Sequence, residues 1–223
     1  LEMVIKLMTN NPLVSVIVPA YNADKYIADT LNSLLNQTYN NIEIIVVDDG
    51  STDKTAAIVE QFEDKVIFFK QKNSGVSIAR NFAVQQAKGE WLAFLDADDL
   101  WLPDKLTVQL AEIEDSQWSH TNSLYIGENQ DNKTTRSDLT EQFGGDVFSK
   151  LIINNFITTS TVLIKKSLFL SADGFDESLA ALEDWQLWLD IAAKAPVKYQ
   201  SEVLAHYRVY DGSTSRQARQ VLP

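Results

Sequence analysis

Three carboxylates stand within four residues, Asp96, Asp98 and Asp99, directly after the apolar run Trp91 to Leu95. Acids crowded this closely repel one another unless positive charge sits among them. A hard divalent cation such as Mg2+ or Mn2+ meets that need, because it takes oxygen ligands and keeps positions open for phosphate oxygens. A second pair, Asp48-Asp49, closes the apolar run Ile42 to Val47. A third, Glu183-Asp184, opens the segment Leu182 to Lys194, in which Trp185, Trp188, Leu189 and Ala192 recur at helical spacing. Arg80 lies among apolar neighbours, and an arginine so placed needs an anionic partner, either a structural carboxylate or a ligand phosphate. Each feature also has a plain structural explanation. Aspartate after a strand is a common turn or N-cap residue. Acids at a helix start suit the helix dipole, and the tryptophans can be core. The chemical alternative for Glu183-Asp184 is a general base beside aromatic platforms that stack on sugar rings.

Composition narrows the chemistry. The chain has no cysteine, which removes thiolate nucleophiles and thiolate metal sites and fits a reducing compartment. His120 and His206 are the only histidines, too few for a multi-histidine zinc site, and a serine–histidine triad gains no support. There is no Walker loop and no Gly-x-Gly-x-x-Gly. With 19 basic and 31 acidic residues the formal charge is −12, which argues against a nucleic-acid partner. No apolar run approaches the ~18 residues of a membrane span. Residues 1–12 do not read as a signal peptide, since Glu2 and Lys6 interrupt them.

The elements that must position these acids follow from periodicity. Leu13 to Val18 reads as a buried strand, closed by Pro19. Asp24 is a candidate cap for a helix from Lys25 to Asn36, with Ile27, Leu31, Leu34 and Leu35 on one face. Ile42 to Val47 is a second strand, and Thr52 or Asp53 caps the helix after it. Val66 to Phe69 is a third strand. A helix carries Ile78, Ala79, Phe82 and Ala83 and stops at Gly89. Trp91 to Leu95 is the fourth strand, with a helix from Pro103 to about Glu114. This alternation predicts a mostly parallel sheet with helices on both faces, whose strand ends gather both aspartate clusters at one edge. Beyond residue 115 the pattern weakens. Strands are expected at Trp118 to Ile126, Ile157 to Ile164 and Val203 to Tyr210, with a helix at Gly145 to Asn155.

These residues together resemble family 2 glycosyltransferases. The resemblance is carried in order by Ser15-Val-Ile-Val-Pro-Ala-Tyr-Asn22, Ser33-Leu-Leu-Asn-Gln-Thr38, Ile45-Val-Val-Asp-Asp-Gly-Ser-Thr-Asp53, Asn73-x-Gly75 with Ala79-Arg80-Asn81, Gly89-Glu-Trp-Leu-Ala-Phe-Leu-Asp-Ala-Asp-Asp99 and Glu183-Asp184-Trp185. It implies an α/β GT-A (nucleotide-diphospho-sugar transferase) fold over 13–215. A nucleotide-sugar-binding half, 13–114, would be continuous with an acceptor-binding half, 115–215, between flexible ends at 1–12 and 216–223. It implies metal-dependent inverting transfer from a nucleotide-sugar, most often a UDP-sugar, to a hydroxyl of a glycan or lipid-linked acceptor in cell-envelope polysaccharide synthesis. By the same resemblance Pro19, Ala20 and Tyr21 line the nucleoside pocket, Asp49 contacts the base, and Asn73 and Arg80 lie near the nucleotide. Asp96 faces the ribose, Asp98 holds Mn2+ or Mg2+, Asp184 is the base, and Glu183 and Trp185 support the acceptor. One position departs from the pattern: Tyr210 stands where many members have a histidine that reaches the metal or diphosphate, and His206 lies four residues earlier. That departure keeps a non-catalytic nucleotide- or sugar-binding partner subunit as the alternative. A dehalogenase-type phosphatase would place its aspartates after the first strand, and a nucleotidyltransferase would want a glycine-rich basic loop where Pro19 to Asn22 stand. The implied location is cytoplasmic, with membrane contact at most peripheral.

Overall fold

The computed structural model describes residues 11–128 and 130–210. Its strands are β1 Val14–Ala20, β2 Ile42–Asp48, β3 Ile67–Lys70, β4 Trp91–Phe94, β5 Leu100–Trp101, β6 Trp118–Gly127, β7 Leu163–Lys165 and β8 Lys198–Val209. Its α-helices are α1 Ile27–Leu35, α2 Thr55–Val59, α3 Val76–Gln86, α4 Lys105–Glu112, α5 Arg136–Leu139, α6 Phe148–Leu151, α7 Lys166–Ser171 and α8 Glu183–Ala192. The strands form one sheet in the order β3-β2-β1-β4-β7-β6-β8-β5. The run β3-β2-β1-β4 is parallel throughout, as the βα alternation predicts. The second half is mixed: β7 is antiparallel to β4 and β6, β8 is parallel to β6, and β5 is antiparallel to β8.

Helices cover both faces because β1 is buried on both. Ile17 packs into a core with Ala79 and Ala83 of α3 and Leu187, Trp188 and Ile191 of α8. Val14, Val16 and Val18 point the other way, into a core with Ile27, Leu31 and Leu34 of α1 and Leu106 of α4. Alternate side chains of a strand face opposite sides, so a continuous apolar run serves two layers at once. Each fully buried aliphatic or aromatic side chain contributes about 1.5–3 kcal/mol against exposure.

Several local expectations change. Asp24 does not cap α1; its amide instead donates to Asp53 Oδ2, and α1 begins after Tyr26 without a side-chain cap. Neither Thr52 nor Asp53 is the N-cap of the next helix, which starts after Lys54; Asp53, one residue earlier, accepts from the Thr55 amide at 2.9 Å. Gly89 is needed for proximity rather than for a left-handed cap: a Cβ there would lie 2.6 Å from Ser15 Oγ and 2.7 Å from the Leu13 carbonyl. The helix expected at 145–155 is reduced to the single turn of α6, and the strand expected at 157–164 is a 3-10 turn, Thr159–Thr161, followed by β7. Of the expected lead-in, residues 11 and 12 are pinned: Asn41 Nδ2 donates to the Asn11 carbonyl and Tyr39 Oη to that of Pro12. Residues 1–10 and 211–223 lie outside the described residues, and with them most of both expected ends.

His120 on β6 carries a testable consequence. It is fully buried, stacked on Tyr199 at 4.9 Å, with Nε2 3.0 Å from the Phe143 carbonyl and Nδ1 without a hydrogen-bond partner. Burial pushes its pKa down to about 4, so the fold holds the neutral ring. The unfolded chain takes up a proton near the ordinary value of about 6.5. Stability is therefore present in full above that value and is lost as pH falls from there toward about 4. The loss is about 3 kcal/mol at one pKa unit per 1.36 kcal/mol. Urea unfolding at pH 7 and pH 4.5 should show this loss in the native protein and a smaller one in His120→Phe. Equal losses would remove the assignment.

Candidate active site

The carboxyl ends of β1, β2 and β4 meet at one sheet edge, and their loops are clipped together. The Asp49 amide donates to the Ala20 carbonyl at 2.8 Å. Asn22, at φ +48°, accepts from the Thr52 amide at 2.8 Å while its own amide donates to Ser51 Oγ. Asp49 is buried, and both of its oxygens are engaged: Oδ1 accepts from Gln71 Nε2 and the Ser74 amide, Oδ2 from the Gly75 amide. It thus fixes the loop that launches α3. Gly50, at φ +76°, lets that loop approach, because a Cβ there would stand 2.6 Å from the Asn73 backbone nitrogen. Pro19 and Ala20 end β1 as buried residues, while Tyr21 beside them is 52% exposed and Asn73 is exposed across the rim.

The aspartate cluster sits at the mouth of β4. Asp96 is half-buried and pairs with Arg80, whose Nη2 lies 2.7 Å from its Oδ1. The other arm of Arg80 reaches Glu183 Oε1 at 2.8 Å, and its guanidinium lies 5.0 Å from the Phe175 ring centroid. The partner that the sequence left open is therefore a pair of carboxylates, one from each half of the chain. Burial works against the Arg80 charge, but Asp96 and Glu183 outweigh it and raise its pKa. Asp98 is pushed up to about 6 by burial and by Asp96, against a hydrogen bond from the Tyr210 hydroxyl and the charge of Arg208. Asp99 is almost fully buried, and burial with its two neighbours raises its carboxyl well above the usual range; it accepts from Ser160 Oγ and the Arg208 amide. Arg208 Nε also holds the Asp98 carbonyl at 2.7 Å, and its guanidinium lies 4.6 Å from the Tyr26 ring. Sequence reasoning missed Ser160 and Arg208. The string Tyr207-Arg208-Val209-Tyr210 pointed at the second; no signal pointed at the first.

Asp184 stands at the head of α8. Its Oδ2 accepts from Asn155 Nδ2 and Thr159 Oγ1, both at 3.3 Å, and Oδ1 accepts from the Trp185 amide at 2.7 Å. Burial and then Glu183 raise its pKa, with Arg80 opposing. The helix starts from Leu182 in the left-handed region, φ +65°, a conformation that costs a branched residue free energy and recurs at functional sites. Trp185 is fixed from the side, its Nε1 donating to the Leu151 carbonyl at 2.6 Å.

No three His, Cys, Asp or Glu side chains converge as a complete metal cage among the described residues. The donors present suit a hard dication whose remaining positions are filled from outside the protein: Asp98 is a crowded carboxylate disfavoured as a bare anion, with the phenol of Tyr210 beside it.

A parallel half-sheet ending in paired acids, joined to a mixed half that supplies a buried carboxylate, is the GT-A arrangement. The chain belongs to glycosyl transferase family 2: that family description matches residues 15–170. It is 35% identical to an uncharacterized glycosyltransferase of Rickettsia typhi, RT0329, over 94% of this chain and 68% of the relative. It is 34% identical to WfaP of Escherichia coli, named a UDP-Glc:alpha-D-GlcNAc-diphosphoundecaprenol beta-1,3-glucosyltransferase, over 91% of this chain and 80% of that protein. The structure of S. aureus TarS 1-349 in complex with UDP-GlcNAc superimposes with a TM-score of 0.75 at 27% identity, covering 90% of this chain and 59% of that one. The chain spans about a third of the length of some other Rickettsia relatives. No helix among the described residues is long and apolar enough to cross a membrane.

Proposed function

We propose that this chain transfers a sugar from a UDP-sugar, with inversion, to a hydroxyl of a cell-envelope glycan or lipid-linked acceptor. The observation that carries the reading is the Arg80 bridge. It ties Asp96, which follows β4, to Glu183 at the head of α8, and so supports a single site shared by the two halves of the chain. The nucleoside lies against Pro19, Ala20 and Tyr21, with Asp49 and Asn73 at the base and Asp96 toward the ribose. Asp98 holds Mn2+ or Mg2+, with Tyr210 beside it in place of a histidine. The ion supplies charge that offsets the negative charge gathering on the leaving diphosphate. Asp184 takes the proton of the acceptor hydroxyl as that oxygen attacks the anomeric carbon from the opposite face. Glu183 and Trp185 steady that side of the cleft. Residues 13–114 thus serve the donor and 115–215 the acceptor, from a cytoplasmic position with peripheral membrane contact. The named relatives support donor class and setting: WfaP is named for UDP-Glc and a diphosphoundecaprenol acceptor, and TarS is seen with UDP-GlcNAc.

The test is a donor panel. UDP-glucose, UDP-galactose, UDP-GlcNAc and GDP-mannose are each supplied with Mn2+ or with chelator, and nucleotide release is followed. One UDP-sugar should be consumed, only with metal, and a transferred sugar should have the anomeric configuration opposite to the donor. Asp98→Asn should abolish the metal-stimulated part while leaving the thermal melt intact. Turnover indifferent to metal, or a variant as active as the parent, would remove the metal assignment.

A further inference from the structure

We propose that Arg136 and the apolar face beside it seat the polyisoprenyl diphosphate of a lipid-linked acceptor. The proposal deepens the transferase reading above, on which it rests for the side where the acceptor lies. Arg136 opens α5, where it reaches Tyr125 of β6 and the backbone of Asn155. In an acidic chain an arginine readily finds a carboxylate, yet no carboxylate lies within ion-pair distance of Arg136 among the described residues. Its Nη1 donates to the Tyr125 hydroxyl at 2.9 Å and its Nη2 to the Asn155 carbonyl, both neutral oxygens. Its Nε is buried with no hydrogen-bond partner. Arg80, by contrast, holds two carboxylates. A half-buried guanidinium with unused donors suits an oxyanion, and its planar fork suits phosphate in particular.

Its position says what carries that anion. Asn155 offers its carbonyl to Arg136 and donates its side-chain amide to Asp184 Oδ2. One residue, Asn155, therefore touches both the charge and the proposed base. A sugar with its hydroxyl at Asp184 places the phosphate on its anomeric oxygen at Arg136. The surface next to Asn155 is apolar: Phe148, Ile152 and Ile153 are 39%, 59% and 78% exposed on α6 and the turn that follows it. Phe148 and Ile152 share one face, four residues apart, while Leu151 on the other face is buried and touches Trp185 through its carbonyl. Lys150 in the same turn adds an exposed cation to the half-buried Arg136. Positive charge at the base of an apolar strip complements an anionic head on a hydrocarbon chain.

The experiment measures binding of farnesyl diphosphate, a soluble polyisoprenyl diphosphate, to the whole chain by calorimetry. Saturating UDP with Mn2+ is present so that the donor site is filled. Farnesol and inorganic diphosphate are the comparison probes. Farnesyl diphosphate should bind at least about tenfold more tightly than either, as expected when a charged hydrogen bond and apolar burial act together. Arg136→Met should lose about tenfold or more, and Arg136→Lys, which keeps the charge, should lose less. Ile152→Ser with Ile153→Ser, both surface changes, should weaken farnesyl diphosphate without affecting inorganic diphosphate. Equal affinity in Arg136→Met and parent, or farnesol binding as well as its diphosphate, overturns the proposal. Inorganic diphosphate matching farnesyl diphosphate overturns the lipid component. The UDP titration that precedes each run reads the donor side separately: a parent protein that binds no UDP fails the transferase reading, whatever farnesyl diphosphate then does.

Discussion

Asp184→Asn should reduce sugar transfer by about 10²–10⁴-fold, the range for loss of a positioned general base, while UDP binding stays near its original strength. The amide keeps the shape of the side chain; its oxygen can accept from the Trp185 amide, and its NH2 then faces Asn155 and Thr159, whose hydroxyl can turn to accept. It cannot take a proton. Arg80 still spans Asp96 and Glu183, so the donor side of the cleft is untouched. Two further readings separate a base from a structural carboxylate. Burial raises the Asp184 pKa, so the acid limb of the parent's pH–rate profile should lie above the ordinary carboxylate range and should vanish in the residual activity of the variant. The sign for stability is opposite to that for activity. A raised carboxyl pKa favours the fold at low pH, and that benefit is lost as pH rises through the folded value. At neutral pH the ionised Asp184 is therefore a strain on the fold, and the neutral amide should hold or raise the melting temperature. Normal turnover would place the base elsewhere; a large fall in melting temperature would make the residue structural.

Arg80→Met should lower stability by about 3 kcal/mol, the low end for breaking a buried pair because Asp96 keeps a third of its side chain in water. Methionine replaces the packing of the arginine stem against Phe175 but leaves Asp96, Glu183 and Asp184 facing one another without a cation. Their mutual repulsion acts while they carry charge and weakens as acid is added. The deficit should therefore be largest at neutral pH and shrink as pH falls. Arg80→Lys should rescue only part, since one ammonium cannot reach two carboxylates at the ends of a planar fork. Urea midpoints at pH 7 and pH 5 for the three proteins read this directly. A deficit below about 1 kcal/mol, or one constant with pH, would mean that the bridge contributes little.

The donor half was legible because its signals are local. β1, β2 and β4 are uninterrupted apolar runs that must be buried on both faces, and α1 and α3 repeat every three or four residues between turn residues. The acidic ends of β2 and β4 then fall together by topology alone. α8 was legible for the same reason, down to its first acidic pair. What the sequence concealed depends on distant partners. β5 is two residues long and exists because β8 pairs with it. Thr159 and Ser160 lie in a stretch rich in threonine and isoleucine whose composition suits a strand, and Asn155 ends the expected helix before it, yet the chain turns tightly at 159–161 and these polar groups meet Asp99 and Asp184. Asp49 illustrates a subtler gap. Its place at the cleft followed from the sheet rule, but its use of both oxygens to fix the loop before α3 could be learned only from geometry.

The pairing of β8 with β5 bears on how the protein is made. A ribosome delivers the chain from its amino end, and early segments can collapse while later ones are still being joined. All of β3-β2-β1-β4 is available once Phe94 has emerged. The acids that follow are different. Asp99 waits for an amide 109 residues downstream, and Asp98 waits for Tyr210. Until then the nascent chain carries a half-built cleft whose aspartates repel one another and remain in water. Completion of the cleft is thus a late, long-range event in biosynthesis. A product cut short before residue 208 would hold the donor-side strands yet lack the contacts that close the acidic cluster.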